Sequence, residues 1–387
     1  TLKADSHVTG DAGTIVAWAD KETQFHGTAS ASALGFIGAG GFVETSGKET
    51  LDISGASVTA SSVSGEGGSW LLDPTDFFVD GSNSTSISDS LDLGTDVIIQ
   101  TLSTGTEDGD VTFASAAAIS WGNADSDLFV YAHNDIIFEL GALIEATQAS
   151  NITLRADSDS SNRVDSSALA GGNAAVAGGT VMFNDVDQVK TLGDVDIFYG
   201  TTDFTAATDY SSNVDATNEN AYMLINDVYD LQQMSTALDG HYALGKDIDA
   251  SATSTWDSDK GFDPVGDNAA SFKGVLEGDS NTISDLTINR NNEDYVGLFG
   301  FVQGADSEIK NVNLDGGTIV GKTNVGSIAG AIQQTKITNV SSSASVEGYD
   351  ENIGGLVGLA TYFETPVING ATISESTATG TVSGNVA

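Results

Sequence analysis

The sequence predicts an all-β chain assembled from a repeated supersecondary unit. Three observations carry this expectation. Composition is the first: 45 Gly stand against 3 Pro in 387 residues, with Ser, Thr, Ala, Asp, Val and Ile filling most other positions. That mixture suits short strands joined by tight turns and leaves little for long helices. Patterning is the second, because apolar residues alternate at period two in many short stretches. The third is a period: Tyr295-Val296-Gly297-Leu298-Phe299-Gly300, Val325-Gly326-Ser327-Ile328-Ala329-Gly330 and Ile353-Gly354-Gly355-Leu356-Val357-Gly358 recur 30 and 28 residues apart when aligned on their last glycine. Apolar residues and glycines held in constant phase mean that one unit stacks on the next and buries a shared face.

Charge and cysteine bound the function. With 55 Asp and Glu against 13 Lys and Arg, the formal net charge is −42, which repels phosphate backbones and argues against nucleic-acid binding. A hydrophobic content of 40% is too high for a disordered acidic tail, so the acids are read as decorating a folded surface. Cysteine is absent, which removes disulfides and thiolate metal sites. No run of about 18 apolar residues suggests membrane insertion. Thr1 and Ala387 both fall in mid-pattern, so the chain reads as a piece of something longer.

Residues 1–80 form the first region, with strands expected at Gly13–Asp20 and Leu51–Val58. Here Gly40-Gly41-Phe42-Val43-Glu44-Thr45-Ser46-Gly47, followed by Trp70-Leu71-Leu72-Asp73-Pro74, resembles the conserved passage of filamentous-haemagglutinin-like exoproteins exported by two-partner secretion. The resemblance implies a right-handed parallel β-helix, an outer-membrane transporter as export partner, and an extracellular or cell-surface location.

Residues 81–200 repeat a looser theme. Asp96–Gln100, Asp110–Phe113, Leu128–Ala132, Asp135–Phe138 and Asn151–Leu154 are each about one strand long. By spacing alone they fit a sandwich or the faces of a solenoid, and with no helical interlude visible a doubly wound fold is excluded. The haemagglutinin-like resemblance favours continuing solenoid. A loop insertion is assigned to 157–176 and a linker to 201–219.

Residues 220–387 carry the glycine repeat, which resembles the GLUG repeats of bacterial surface proteins. Ile309 and Ile337 keep phase with it, with Ile283 before and Ile373 after in the same place. The repeat glycines Gly297, Gly300, Gly326, Gly330, Gly354, Gly355 and Gly358 are read as architectural, filling places where adjacent backbones exclude a Cβ or φ is positive. Leu298, Ile328 and Leu356 are expected to form one buried row, and Ser327→Ala to be silent.

Catalytic constellations are missing from the pattern. His7, His26, His133 and His241 lack metal-ligand spacing, no serine stands in a nucleophile elbow, and carboxylate pairs arise by chance among 55 acids. Trp18, Trp70, Trp121 and Trp256 are read as strand or core aromatics before sugar platforms. No cofactor is expected apart from calcium, for which Asp73, Asp76 and Asp80 flank one turn as candidate ligands. The expected function is non-catalytic: shaft and display segment of a large secreted adhesin, whose receptor the sequence does not identify. The alternative is a subunit that self-associates into an extracellular filament or surface layer. A carbohydrate-active β-helix enzyme ranks third, because the basic residues are few and dispersed.

Overall fold

The computed structural model describes residues 1–102, 108–158, 179–361 and 370–384. Most of the loop assigned to 157–176 lies outside these residues. Among the described residues strands make up 42% and helix 7%, and every strand-to-strand ladder is parallel. The chain divides into two compact units, one containing Thr1–Asn162 and Thr208–Ala221, the other Thr202–Ala207 and Tyr222–Ala387.

In the first unit seven strands stack in chain order: Thr14–Ala19, Phe42–Gly47, Ser69–Leu72, Asp96–Gln100, Leu128–Tyr131, Ile152–Arg155 and Asp194–Tyr199. Each pass of the chain adds one strand to this sheet and then strands to flanking sheets. Parallel stacking aligns side chains of the same parity, so Val43, Trp70, Val97, Leu128, Ile152 and Val195 form one buried row. The parallel row Thr45, Leu72, Ile99, Val130, Leu154 and Ile197 has one polar member. Thr45 is tolerated there because its hydroxyl accepts the Trp70 indole N–H at 2.9 Å. A second sheet stacks Phe77–Val79, Val111–Phe113, Ile136–Phe138 and Val181–Phe183; in it Phe113, Phe138 and Phe183 stack at 4.6 and 4.7 Å.

One element departs from the sequence reading: Gly81–Asp92 is a 12-residue α-helix, α1. Ile87 and Leu91, one turn apart, are buried, while its serines make hydrogen bonds that a strand's backbone would otherwise make. Ser84 and Ser88 Oγ accept Ala118 N–H and Ser120 N–H, at 3.3 and 3.0 Å, and Ser86 Oγ donates to the Ile53 carbonyl at 2.9 Å. The helix thus stands in line with the strands Ser57–Thr59 and Ala118–Trp121. It satisfies an edge with side chains instead of main chain. The segment 201–219, read as a linker, contains the strand Val214–Asp215 paired with Val189–Lys190, and Tyr210 is buried with its hydroxyl on the Val181 carbonyl.

The second unit uses four strands per pass. Glu308–Lys310, Asn313–Asp315, Thr318–Gly321 and Ala329–Gln333 belong to one pass, and each has a partner in the next: Lys336–Thr338, Ser341–Ser342, Ser345–Gly348 and Val357–Thr361. Phe204, Tyr242, Phe272 and Phe299 form a buried aromatic column. Leu298 and Ile328 are fully buried and Leu356 half-buried. Register corrects two expectations. Val296 pairs with Val325 and Val325 in turn with Ile353, while Phe299 pairs with Ala329 and Ala329 with Val357, so the first pass has one residue fewer between these pairs and Tyr295 is not opposite Val325. Ile309, Ile337 and Ile373 do share a row, but its earlier member is Leu276; Ile283 pairs with Leu314 in another sheet. Corner loops of unequal length make spacing alone a false guide to phase.

Candidate functional site

The repeat glycines sit where backbones meet. A Cβ at Gly297 or Gly300 would fall on the carbonyl of Gly326 or Gly266, one at Gly326 or Gly354 on that of Ala329 or Val357, and ones at Gly330 and Gly358 on the backbones of Tyr295 and Val325. Gly355 faces the Ala378 side chain. None of the seven has positive φ; that conformation belongs to the neighbouring Tyr295, Asn324 and Asn352. Close approach is therefore the whole reason for these glycines. Ser327 is fully buried and its hydroxyl donates to the Gly355 carbonyl at 2.6 Å, so the expectation of a silent alanine fails.

Among the described residues no three His, Cys, Asp or Glu side chains converge as a metal site, and the candidate calcium ligands are engaged separately. Asp80 caps α1, accepting Ser82 and Asn83 N–H at 2.8 Å each. Asp76 accepts Gly109 and Asp110 N–H at 2.7 and 3.0 Å. Asp73 alone keeps a buried oxygen, Oδ1, without a hydrogen bond; burial and the nearby Glu44 push its carboxyl up to about 6.

Asp76 begins a ladder that composition did not disclose. Asp110 accepts Asp135 N–H at 3.1 Å and the Asn134 amide at 2.9 Å, and Asp135 accepts Thr180 N–H at 2.6 Å. A second ladder runs along the main sheet: Asp96 accepts Asp127 N–H at 2.9 Å, Asp127 accepts Asn151 N–H at 2.7 Å, and Asn151 accepts Asp194 N–H at 3.1 Å. Each acid closes the backbone of the next pass. Adjacent members are roughly 5 Å apart by strand spacing, where like charges repel by on the order of 3 kcal/mol at an effective dielectric of 20. A charge-assisted hydrogen bond returns about 1.5–3 kcal/mol. The two terms nearly cancel, and burial tips the balance: the Asp96 and Asp110 carboxyls are raised, by burial first and then by neighbouring acids.

The main-sheet ladder borders a groove of about 600 Å³ lined by Glu66, Asp96, Asp125 and Asp127 with Asn123 and Asn151. Its lining has no basic or aromatic side chain, so it favours cations and excludes anions. A sequence signal for the ladders existed: Asp96-Val97, Asp127-Leu128, Asn151-Ile152 and Asp194-Val195 each place an acid or amide just before a strand's first buried residue. Of the tryptophans, Trp70 and Trp121 are core and Trp18 is exposed. Among the described residues no helix is long and apolar enough to cross a membrane.

Residues 182–344 match the family model of the M26 IgA1-specific metallo-endopeptidase N-terminal region, and residues 349–383 match the GLUG motif. The GLUG likeness is thereby placed at the end of the repeat. Over 156 residues, 38% of this chain, the sequence is 38% identical to halomucin of Haloquadratum walsbyi, and over 76 residues, 20% of this chain, it is 37% identical to a Gly-rich membrane protein of Evansella cellulosilytica. These matches span 2% and 9% of those relatives' own lengths. No solved structure matches.

Proposed function

We propose that this chain is a non-catalytic segment of a large secreted, surface-associated protein, in which the stacked passes are coils of a right-handed parallel β-helix serving as shaft and display surface of an adhesin. The observation that carries this reading is where the polar chemistry goes. Asp76, Asp96, Asp110, Asp127 and Asp135 all close backbone N–H groups between passes, which is the work of a stack that extends itself. Support for a surface setting comes from the GLUG match and from relatives named halomucin and Gly-rich membrane protein. The Gly40–Gly47 and Trp70–Pro74 motifs support export by an outer-membrane two-partner transporter.

The test is display and tolerance. Antibodies against this segment should label intact cells that make the parent protein, and an in-frame duplication of residues 325–352, one full pass, should leave display and adhesion intact. Labelling confined to the cell interior, or loss of adhesion with display preserved, would sink the proposal.

A further inference from the structure

Phe36 is the most exposed large apolar side chain among the described residues, at 89%. It lies in a bend of the first unit, residues 33–38, that recurs in the passes on either side as residues 6–10 and 62–65. Ser6, Ala33 and Ser62 pair in parallel. Gly10 N–H donates to the Ile37 carbonyl at 2.7 Å, and the Ser64 hydroxyl donates to the Phe36 carbonyl at 2.6 Å. Close packing fixes the three bends on one another: a Cβ at Gly35 would fall on the Val8 carbonyl, one at Gly38 on that of Gly10, and one at Gly65 on that of Gly38. Stacking therefore gathers Val8, Leu34, Phe36, Ile37 and Val63 in one place, exposed by 72, 49, 89, 70 and 67%. Apolar residues exposed singly are ordinary, whereas a contiguous patch of them marks an interaction surface.

These three bends contain no Asp, Glu, Lys or Arg, and His7 is their one titratable side chain, in a chain whose net charge is −42. Acids stand just outside them: Asp5 pairs with Lys3 at 3.7 Å, Asp11 accepts Ala39 N–H at 2.8 Å, and Glu66 is exposed. Charge narrows the choice of occupant. A basic partner would gain most at the acidic groove, and an acidic one would be repelled without recompense. What matches an uncharged apolar patch is another such patch, and a second copy of this chain supplies it. Size agrees with that choice. Covering five partly exposed apolar side chains removes on the order of 400–500 Å² from water per copy. With the polar rim around them, two copies reach about 1,000 Å², the size at which specific association begins. We propose that two copies of this chain pair through this patch, the same surface on both, and that their shared negative charge keeps the pair weak until salt screens it.

Sedimentation velocity of the full chain should show a reversible dimer whose dissociation constant falls about tenfold or more between about 0.05 M and 1 M NaCl. Phe36→Ser and Ile37→Ser should each weaken the dimer about tenfold. Both should leave the melting temperature of the dilute monomer unchanged, because these side chains stand in solvent. The chain has no cysteine, so one introduced thiol reports only on pairing between copies. Under mild oxidation at high salt, Val63→Cys should cross-link two copies, whereas Val186→Cys, similarly exposed at 64% on another pass, should not. Phosphatidylcholine vesicles in the same salt offer the patch a lipid surface in place of a second copy. A monomer at both salt concentrations, a dimer indifferent to Phe36→Ser and Ile37→Ser, cross-linking through Val186→Cys alone, or vesicle binding without dimerisation would overturn the proposal.

Discussion

An aspartate in this molecule is as much a backbone partner as a surface charge. Asp110 shows the difference between the two roles. Asp110→Ala should strand Asp135 N–H and the Asn134 amide and cost about 1–3 kcal/mol, whereas Asp110→Asn keeps an acceptor, removes a charge facing Asp76 and Asp135, and should be neutral or stabilising. Denaturant titration of both variants checks the sign. Asp73 gives the pH dependence. Its folded value of about 6 lies above the ordinary 3.8, so the native state holds this proton more tightly than the unfolded chain, and stability falls as pH rises from about 4 through 6. Asp73→Asn should flatten that decline and raise stability at pH 7.5 by about 1 kcal/mol, after discounting for the exposed part of the carboxyl. Melting curves at pH 4.5 and 7.5 for both proteins decide it; an unchanged difference would remove Asp73 as its source. Reading the sequence exposed every one of these acids but not their use, since a carboxylate on a solvent face and one closing an N–H look the same until register is known.

At the scale of elements, strands were legible because alternation is a local signal. The stacking of one unit on the next was legible through the glycine period, whereas its parallel pairing was expected only from the haemagglutinin-like resemblance. Helix α1 was not, because Gly-Ser-Asn-Ser-Thr-Ser-Ile-Ser-Asp-Ser reads as turn sequence by composition. Its signals were Asp80 as N-cap and Ile87 with Leu91 one turn apart. The helix has a job that isolated propensity cannot report. Ser88→Ala leaves Ser120 N–H without its partner and should cost about 1 kcal/mol, while Thr85→Ala on the exposed side should cost a few tenths at most; equal losses would mean that the helix does not close the strand edge. In the glycine repeat, Ile328→Ala should cost about 2–5 kcal/mol as a core truncation. Ser327→Ala should cost about 1 kcal/mol through the lost bond to Gly355. Equilibrium unfolding of the two variants separates packing from hydrogen bonding at adjacent positions.

For the whole molecule the governing quantity is a net charge of −42 that 13 basic side chains cannot cancel. The ladders sharpen this, because they hold carboxylates in rows at strand spacing, where repulsion nearly matches the hydrogen bonds gained. Added salt shortens the Debye length from about 30 Å at 0.01 M to about 3 Å at 1 M, so it weakens repulsion along a row and between rows while leaving short hydrogen bonds in place. The melting temperature should therefore rise by several degrees between those salt concentrations, and most of that gain should persist in Asp73→Asn, whose charge is one among many. Calcium distinguishes screening from binding. Asp76, Asp96, Asp110 and Asp127 already use their carboxylates on backbone N–H groups, and a cation seeking several oxygens would have to compete with those bonds. Millimolar calcium and magnesium should then shift the melting temperature equally at matched concentration. A calcium shift well beyond that of magnesium would show a specific site that prefers the folded state, and the groove lined by Glu66, Asp96, Asp125 and Asp127 would be the first place to substitute.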